Sequence, residues 1–377
     1  MRTQSQTRER LSRRQRPTRQ ETSVSLTTSA RNQWETLVLT TSEHDVLADA
    51  GGASAPDPYT EPAAFRRYAT DVWAQLNDST RERVQALRLG ISPRPELYIA
   101  NLPAVPSLPP TPTDGRWVKT TSGHHSELLM VAFASELGCP ISYADQRSGA
   151  VFHDIYPTRA NAAAVSSQSH LVGLGFHSEM FFHPTPPDFL VLHCLRPDPG
   201  GAALTGVSDM ASVELSLSRA DMNVLSAPSF ALDLARLHGS YTYLGRPIAE
   251  ADPRPCVPVV GRDRIRFEPA LTTPTSGTAQ RALVSAERVA EREVAFGALG
   301  DGAMLLVDNR RAVHSRTSFP ARYDGTDRWL RRMMVAAVDT PPADGIVRFS
   351  DLDLMRPWEA CGAAFAEVPY GRAEVLA

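Results

Sequence analysis

The sequence predicts a mostly β chain with helices, an antiparallel β core decorated by helical segments. Three observations carry that expectation. Short apolar runs of strand length recur between Gly- and Pro-rich turns, helical periodicity is confined to a few stretches, and the two do not alternate in a βαβ rhythm. At 377 residues the chain can bury a large core, as one elaborated domain or two small ones.

Residues 1–33 carry seven Arg in the first twenty positions and almost no large apolar side chains. Such a segment cannot bury enough surface to offset its ordering entropy, so it is expected to be a disordered Arg-rich tail. It reads as a loose extension or a misassigned start, with contact to a nucleic acid or a partner as the alternative. Trp34 to Thr40 (WETLVLT) predicts a short strand. Glu61 to Leu89 predicts two helices, with Phe65, Tyr68, Val72, Trp73 and Leu76 at helical spacing and Asp78 or Ser79 capping the second. Glu96 to Leu102 predicts a strand, and PAVPSLPPTPTDG a surface loop.

A helix is expected from Gly123 to Leu137, ending at Gly138, followed by strands at Ile141 to Ala144 and Ala150 to Tyr156 around a turn at Ser148 and Gly149. Ala160 to His170 is small and polar, hence a loop. Leu171 to Met180 (LVGLGFHSEM) reads as a strand, as does Phe189 to Leu195, with a Gly-rich connection from Pro197 to Thr205. Ser208 or Asp209 is placed to cap a helix running to about Leu217. Strands are expected at Val257 to Val260 and Ile265 to Glu268, the best helix of the chain at Thr278 to Phe296, and closing strands at Ala303 to Val307 and Trp329 to Val338.

Composition sets limits on function. With 42% hydrophobic and 21% charged residues and a net charge of −3, neither a nucleic acid nor an anionic membrane is implied as a partner. Lys119 is the only lysine, so the number of Arg is a poor guide to function. Cys139, Cys194, Cys256 and Cys361 lie far apart without a CxxC, which gives neither a zinc ribbon nor a disulfide framework and suits a reduced cytoplasm. No apolar run approaches the roughly 18 residues of a membrane span.

His177 and Glu179 are two residues apart in a β-prone run. On an extended strand both project from one face, placing an imidazole beside a carboxylate. With a third ligand from elsewhere they make a facial His/carboxylate/His triad, which leaves positions open on Fe(II). The pattern alone is weak, because ten His and 42 Asp+Glu yield about one His-x-acid by chance. A second copy, His125-Ser126-Glu127, opens the helical run, where residues two apart diverge, and reads as an ordinary surface helix start. His153, His183 and His193 have no partner at ligand spacing and read as structural.

Three further pieces add specificity: HSEMFFHPTPPDFLVLHCLR, DNRRAVHSR and RYDGTDRWLRRMMV, with Arg328 fourteen residues beyond His314. With Gln146 and Thr205 they span about Gly138 to Asp339. Here the sequence resembles the clavaminate synthase-like branch of the Fe(II)/2-oxoglutarate dioxygenases, which contains free amino-acid hydroxylases acting on arginine and asparagine. The resemblance implies a double-stranded β-helix (jelly-roll) core at about 138–340, flanked by N-terminal and inserted helices within a single oxygenase domain, 34–377.

The resemblance also implies roles. His177, Glu179 and His314 would bind Fe(II). Arg328 would pair with the distal carboxylate of the co-substrate 2-oxoglutarate, with Thr205 near its other end. Arg332 would hold the α-carboxylate of the amino-acid substrate on the same strand face as Arg328, with Gln146 at its amino end and Glu179 also among the substrate contacts. Glu268 falls where arginine-acting relatives place acidic residues against the guanidinium, but Ala270 replaces their second acid, which counts against a guanidinium substrate. Bidentate pairing of guanidinium with carboxylate supports Arg at both positions.

The implied activity consumes O2 and hydroxylates an arginine-, citrulline- or cyclic-amino-acid-like substrate at an unactivated C3 or C4, in specialised (antibiotic) biosynthesis. It calls for no obligate protein partner. A taurine-type catabolic dioxygenase and a non-catalytic jelly-roll binding module are the alternatives.

Overall fold

In a computed structural model the described residues are 33–52, 54–114, 123–144, 149–164, 166–233, 259–261, 264–337 and 346–349, with short strands at 242–243, 246–247 and 256–257. The Arg-rich tail through residue 32, Ser148 of the expected turn and Gln146 lie outside them.

In chain order the elements are β1 (Thr36–Leu37), α1 (Thr41–Ala50), α2 (Pro62–Trp73), α3 (Asp78–Arg88), β2 (Glu96–Ile99), α4 (His125–Leu137), β3 (Cys139–Tyr143), β4 (His153–Ile155), β5 (Leu174–His177), β6 (Phe189–Arg196) and β7 (Thr205–Asp209). There follow α5 (Met210–Ser216), α6 (Arg219–Leu225), β8 (Phe230–Leu232), β9 (Thr242–Tyr243), β10 (Arg246–Pro247), β11 (Cys256–Val257), β12 (Thr272–Pro274), α7 (Gly277–Glu293), β13 (Ala295–Gly297), β14 (Met304–Asp308), β15 (Ala312–Arg316), β16 (Trp329–Ala336) and β17 (Ile346–Arg348).

Two sheets build the core. The major sheet runs β1-β2-β14-β6-β16-β3-β17, with β4 also paired to β16, and the minor sheet runs β13-β7-β15-β5. Apart from the parallel β1–β2 contact, both are antiparallel. This is the expected mostly β core with flanking and inserted helices, in a jelly-roll arrangement.

Pleat parity sorts the side chains. On β6 and β16, Leu190, Leu192, Cys194, Leu330, Met334 and Ala336 meet Val207, Ala295 and Ala312 of the minor sheet in one apolar cluster. The intervening residues Phe189, Val191, Met333 and Val335 face the opposite way and pack with α1–α4. Val313 on the outer face of the minor sheet packs with α5–α7. His314, between Val313 and Ser315 on β15, therefore projects with Ala312 into the space between the sheets.

Several expectations are corrected. The segment Trp34 to Thr40 yields only the two-residue β1, and Thr40 closes a capping box with Glu43 to start α1, a helix the T-x-x-E pattern could have signalled. The residue before α3 is Asn77, which makes no side-chain cap, so neither Asp78 nor Ser79 holds that place. Asp209 does cap α5, accepting from Ala211 N, but it also ends β7, which the reading missed. Ile265 to Glu268 is not a strand: Ile265 forms a single bridge to Val260, and Glu268 caps a 3-10 turn at Pro269–Leu271.

The largest correction is α4. Instead of a surface helix start, Ser126 through Ala134 are all buried. The run LLMVAFA is apolar on every side, as a helix clamped between other helices and a sheet must be. Its two polar residues near the start face partners from the major sheet: Glu127 Oε1 lies 2.8 Å from Arg331 Nη1, and Ser126 Oγ lies 2.9 Å from His193 Nδ1. No described helix is long and apolar enough to cross a membrane.

His193 carries a pH dependence. Burial, then the nearby Arg331 charge, pushes it down to about 3. Below about pH 6.5 the unfolded chain takes up a proton that the folded chain refuses, so stability present above that pH is lost as the pH falls toward 3. We expect the unfolding free energy to fall by about 2 kcal/mol more in the native protein than in His193→Gln between pH 7.5 and 5, by urea titration. A pH-independent difference would refute the assignment.

Candidate metal centre

His177 ends β5 and lies directly across the ladder from His314 on β15, so backbone pairing sets the separation of the two imidazoles. Their ring centroids are 4.1 Å apart. The register shifts between His314 and Arg316, which pair with His177 and Leu174, a bulge of the kind that re-aims side chains near sites. His177 Nδ1 lies 2.9 Å from the Gly175 carbonyl, which can only accept. Nδ1–H is therefore the donor, and Nε2 is left as the coordinating atom.

Glu179 is not on an extended strand beside His177, as the spacing predicts. β5 stops at His177, Ser178 pairs by backbone with Phe267, and Met180 turns with φ 53°. Asn309, immediately after β14, holds this turn. Its Oδ1 accepts from Glu179 N at 2.7 Å, and its Nδ2 donates to the carbonyls of Glu179 at 3.2 Å and Pro187 at 2.8 Å. The sequence displayed Asn309 in the DN step after AMLLV but gave no reason to assign it a role.

The three ligand atoms of His177, Glu179 and His314 lie within 4.8 Å of one another, with Glu179 Oε2 3.9 Å from His314 Nε2. Burial, reinforced by His177 and Arg332, holds His314 well below the usual histidine range, so its ring is neutral and able to ligate. Two imidazole nitrogens and one carboxylate oxygen suit a first-row divalent ion such as Fe(II). Among the described residues this donor set fits a resident metal.

Arginines surround this centre. Arg332 on β16 donates from Nη1 to Glu179 Oε1 at 2.8 Å and from Nη2 to His153 Nδ1 at 3.0 Å, while its buried Nε has no partner. Arg328 immediately precedes β16, is buried, and makes no hydrogen bond or ion pair among the described residues. Burial lowers its pKa, opposed by Cys194 and Asp198. Arg332 has the parity of Leu330 and Met334, while Arg328 lies one residue before the strand, beyond a register shift between Trp329 and Leu330. Arg316 anchors the preceding loop through Ser169 and Val172, and burial together with Arg328 pushes it down to about 10.

Thr205, first residue of β7, pairs with Arg316 and is buried. Glu268 is buried next to Phe267, the residue paired with Ser178, and accepts from Ala270 N at 3.2 Å. Gln146 cannot be placed, lying outside the described residues.

Comparison with known proteins agrees with this geometry. The family model described as taurine catabolism dioxygenase TauD, TfdA family matches residues 121–334. The L-lysine 3-hydroxylase of Catenulispora acidiphila is 31% identical over 306 residues, covering 80% of this chain and 84% of the relative. Among solved structures, asparagine oxygenase in complex with Fe(II), 2S,3S-3-hydroxyasparagine and succinate superposes with a TM-score of 0.70 at 26% identity, over 83% of this chain and 98% of that one. The non-heme iron oxygenase OrfP in complex with Fe, succinate and (3R,4R)-dihydroxy-L-Arg superposes with a TM-score of 0.70 at 28% identity, over 81% and 95%.

Removing a metal ligand and loosening one should differ in degree. His314→Ala is expected to weaken Fe(II) binding by more than about 100-fold, and Asn309→Ala by roughly 10- to 100-fold, the range for an outer partner of a ligand. Anaerobic equilibrium dialysis measures both. Native affinity in His314→Ala would remove that residue from the centre.

Proposed function

The chain belongs to the taurine catabolism dioxygenase TauD, TfdA family, and on that premise we propose that it is an Fe(II)/2-oxoglutarate-dependent hydroxylase of a free L-amino acid. The observation that carries the reading is the convergence of His177, Glu179 and His314 beside Arg332, whose Nε–H is open, with the buried Arg328 just before the same strand and without a hydrogen-bond or ion-pair partner among the described residues. A buried guanidinium without an acceptor is costly, and an anionic ligand removes that cost.

His177, Glu179 and His314 would hold Fe(II). When bound with 2-oxoglutarate and O2, the iron supplies the oxidising power to hydroxylate an unactivated C–H bond. The residues of the chain position the two acids. Arg328 would take the distal carboxylate of 2-oxoglutarate as a bidentate pair, with the Thr205 hydroxyl beside that co-substrate. Arg332 would take the substrate's α-carboxylate on its Nε edge, with the Glu179 carboxylate and Gln146 at the ammonium end. Fixing both ends of a small zwitterion aims one carbon and excludes its neighbours.

For the side chain we favour an arginine-, citrulline- or cyclic-amino-acid-like substrate, hydroxylated at C3 or C4 in specialised metabolism. The buried Glu268 carboxylate beside the Ser178–Phe267 pairing supports a cationic or hydrogen-bonding tail. Ala270 withholds a second acid from a guanidinium. The family's description keeps a sulfonate-type substrate as the second reading.

Iron-loaded protein given 2-oxoglutarate, O2 and a panel of amino acids and sulfonates decides between them. The expected result is succinate formation stimulated by an amino acid that gains one oxygen atom in mass. Stimulation by sulfonates alone would overturn the choice, and succinate production surviving His177→Ala would overturn the metal assignment. Arg328→Lys is expected to raise the 2-oxoglutarate KM roughly tenfold or more, because an ammonium cannot form the paired hydrogen bonds. An unchanged KM would remove Arg328 from co-substrate binding.

A further inference from the structure

We propose that His153 is a positioning residue for this reaction: its imidazole fixes the guanidinium of Arg332, and with it the second oxygen of Glu179, in the orientation that receives the substrate's carboxylate. The inference rests on the reading of Arg332 as the carboxylate clamp. His153 opens β4, is buried, and lies directly across the ladder from Arg332.

The partners of its two ring nitrogens leave one protonation pattern. Nε2 is 2.6 Å from the Ala150 carbonyl, which only accepts, so Nε2 donates. Nδ1 is 3.0 Å from Arg332 Nη2, which only donates, so Nδ1 accepts. The ring is the neutral Nε2–H tautomer. Glu179 Oε1 meanwhile holds Nη1 at 2.8 Å. Each terminal nitrogen is thus pinned by one hydrogen, and the Nε–H and the remaining N–H groups stay available to an incoming carboxylate.

A neutral acceptor is the chemistry such a clamp needs. Arg332 already carries the Glu179 carboxylate, so a second carboxylate at position 153 would compete with the substrate's, whereas an imidazole orients the guanidinium without adding negative charge. The adjacent pair shows the contrast. Arg331, on the opposite face of β16, is met by the carboxylates of Asp154 and Glu127 at 2.9 and 2.8 Å, ion pairs internal to the fold. Immobilising Arg332 in advance removes rotamer entropy from the cost of substrate binding.

Two isosteric variants test the idea. The Oδ1 of Asn reproduces the Nδ1 acceptor in His153→Asn, while the amide of Gln reproduces the Nε2 donor and loses the acceptor in His153→Gln. We expect His153→Gln to raise the amino-acid KM roughly tenfold or more, the worth of a hydrogen bond to a charged group. It should also raise succinate formed per hydroxylated product, with the 2-oxoglutarate KM unchanged. His153→Asn should lie nearer the native enzyme in both measures. A native KM in His153→Gln, or a greater defect in His153→Asn, overturns the proposal.

Imidazole 15N spectra of the metal-free protein add a readout independent of turnover. They should show His153 protonated at Nε2, and a proton on Nδ1 refutes the inference even in an active enzyme. Absence of any amino-acid-stimulated succinate defeats the functional reading instead, and leaves the spectrum to decide the tautomer.

Discussion

The antiparallel pairing of β4 with β16 is the constraint on which the site depends. Two consecutive cross-strand pairs, Asp154 with Arg331 and His153 with Arg332, join these strands on opposite faces. Arg331 is fully buried and held by carboxylates from β4 and α4. Leaving such a charge unpaired costs about 3–5 kcal/mol, so the pairing strongly resists a shift of register. A slip of one residue would put Arg331 between the sheets and Arg332 against α4. The ionic network outside the β-sandwich therefore guarantees the orientation of the arginine inside it.

Electrostatics within the sandwich follow from that arrangement. Arg316 and Arg328 are buried, Arg332 rests its guanidinium on Glu179, and Glu268 is a further buried acid. Arg316 donates from its terminal nitrogens to the loop at Ser169 and Val172 while its buried Nε has no partner, Arg332 is partly engaged, and Arg328 makes no hydrogen bond or ion pair among the described residues. Burial lowers the pKa of both Arg316 and Arg328, the signature of positive charge held without enough counter-charge. On the proposed reading that surplus of positive charge favours acidic ligands, and Arg328 and Arg332 would each take one.

Much of this was legible in the sequence where local chemistry and periodicity agreed. β6, β14, β16 and α7 follow from apolar runs and period, His177 and Glu179 from their spacing, and His314 from the resemblance carried by DNRRAVHSR. What escaped was decided by tertiary contact. α4 reads as a surface helix only if the partners of Glu127 are ignored, and Arg331 lies 204 positions away in the chain. β7 and β15 were hidden because Thr205 to Asp209 and Ala312 to Arg316 mix small, polar and charged residues that become buried only between other strands. His153 looked structural for the same reason: a histidine without a ligand-spaced neighbour gives no local sign that an arginine lies opposite.

The triad itself combines two ways of placing a ligand. His177 and His314 are ladder partners, so their spacing comes with the sheet and would survive most changes in nearby loops. Glu179 has no such support, because its strand ended two residues earlier and Met180 adopts a left-handed backbone conformation that a non-glycine residue rarely takes. Its place depends on Asn309 at the main chain and on Arg332 at the carboxylate. The same arginine is read as the substrate's clamp, so the carboxylate that completes the metal site and the carboxylate that must be recognised share one donor. On that reading, a bound substrate would touch, through Arg332, the one residue of the triad that no ladder pair holds.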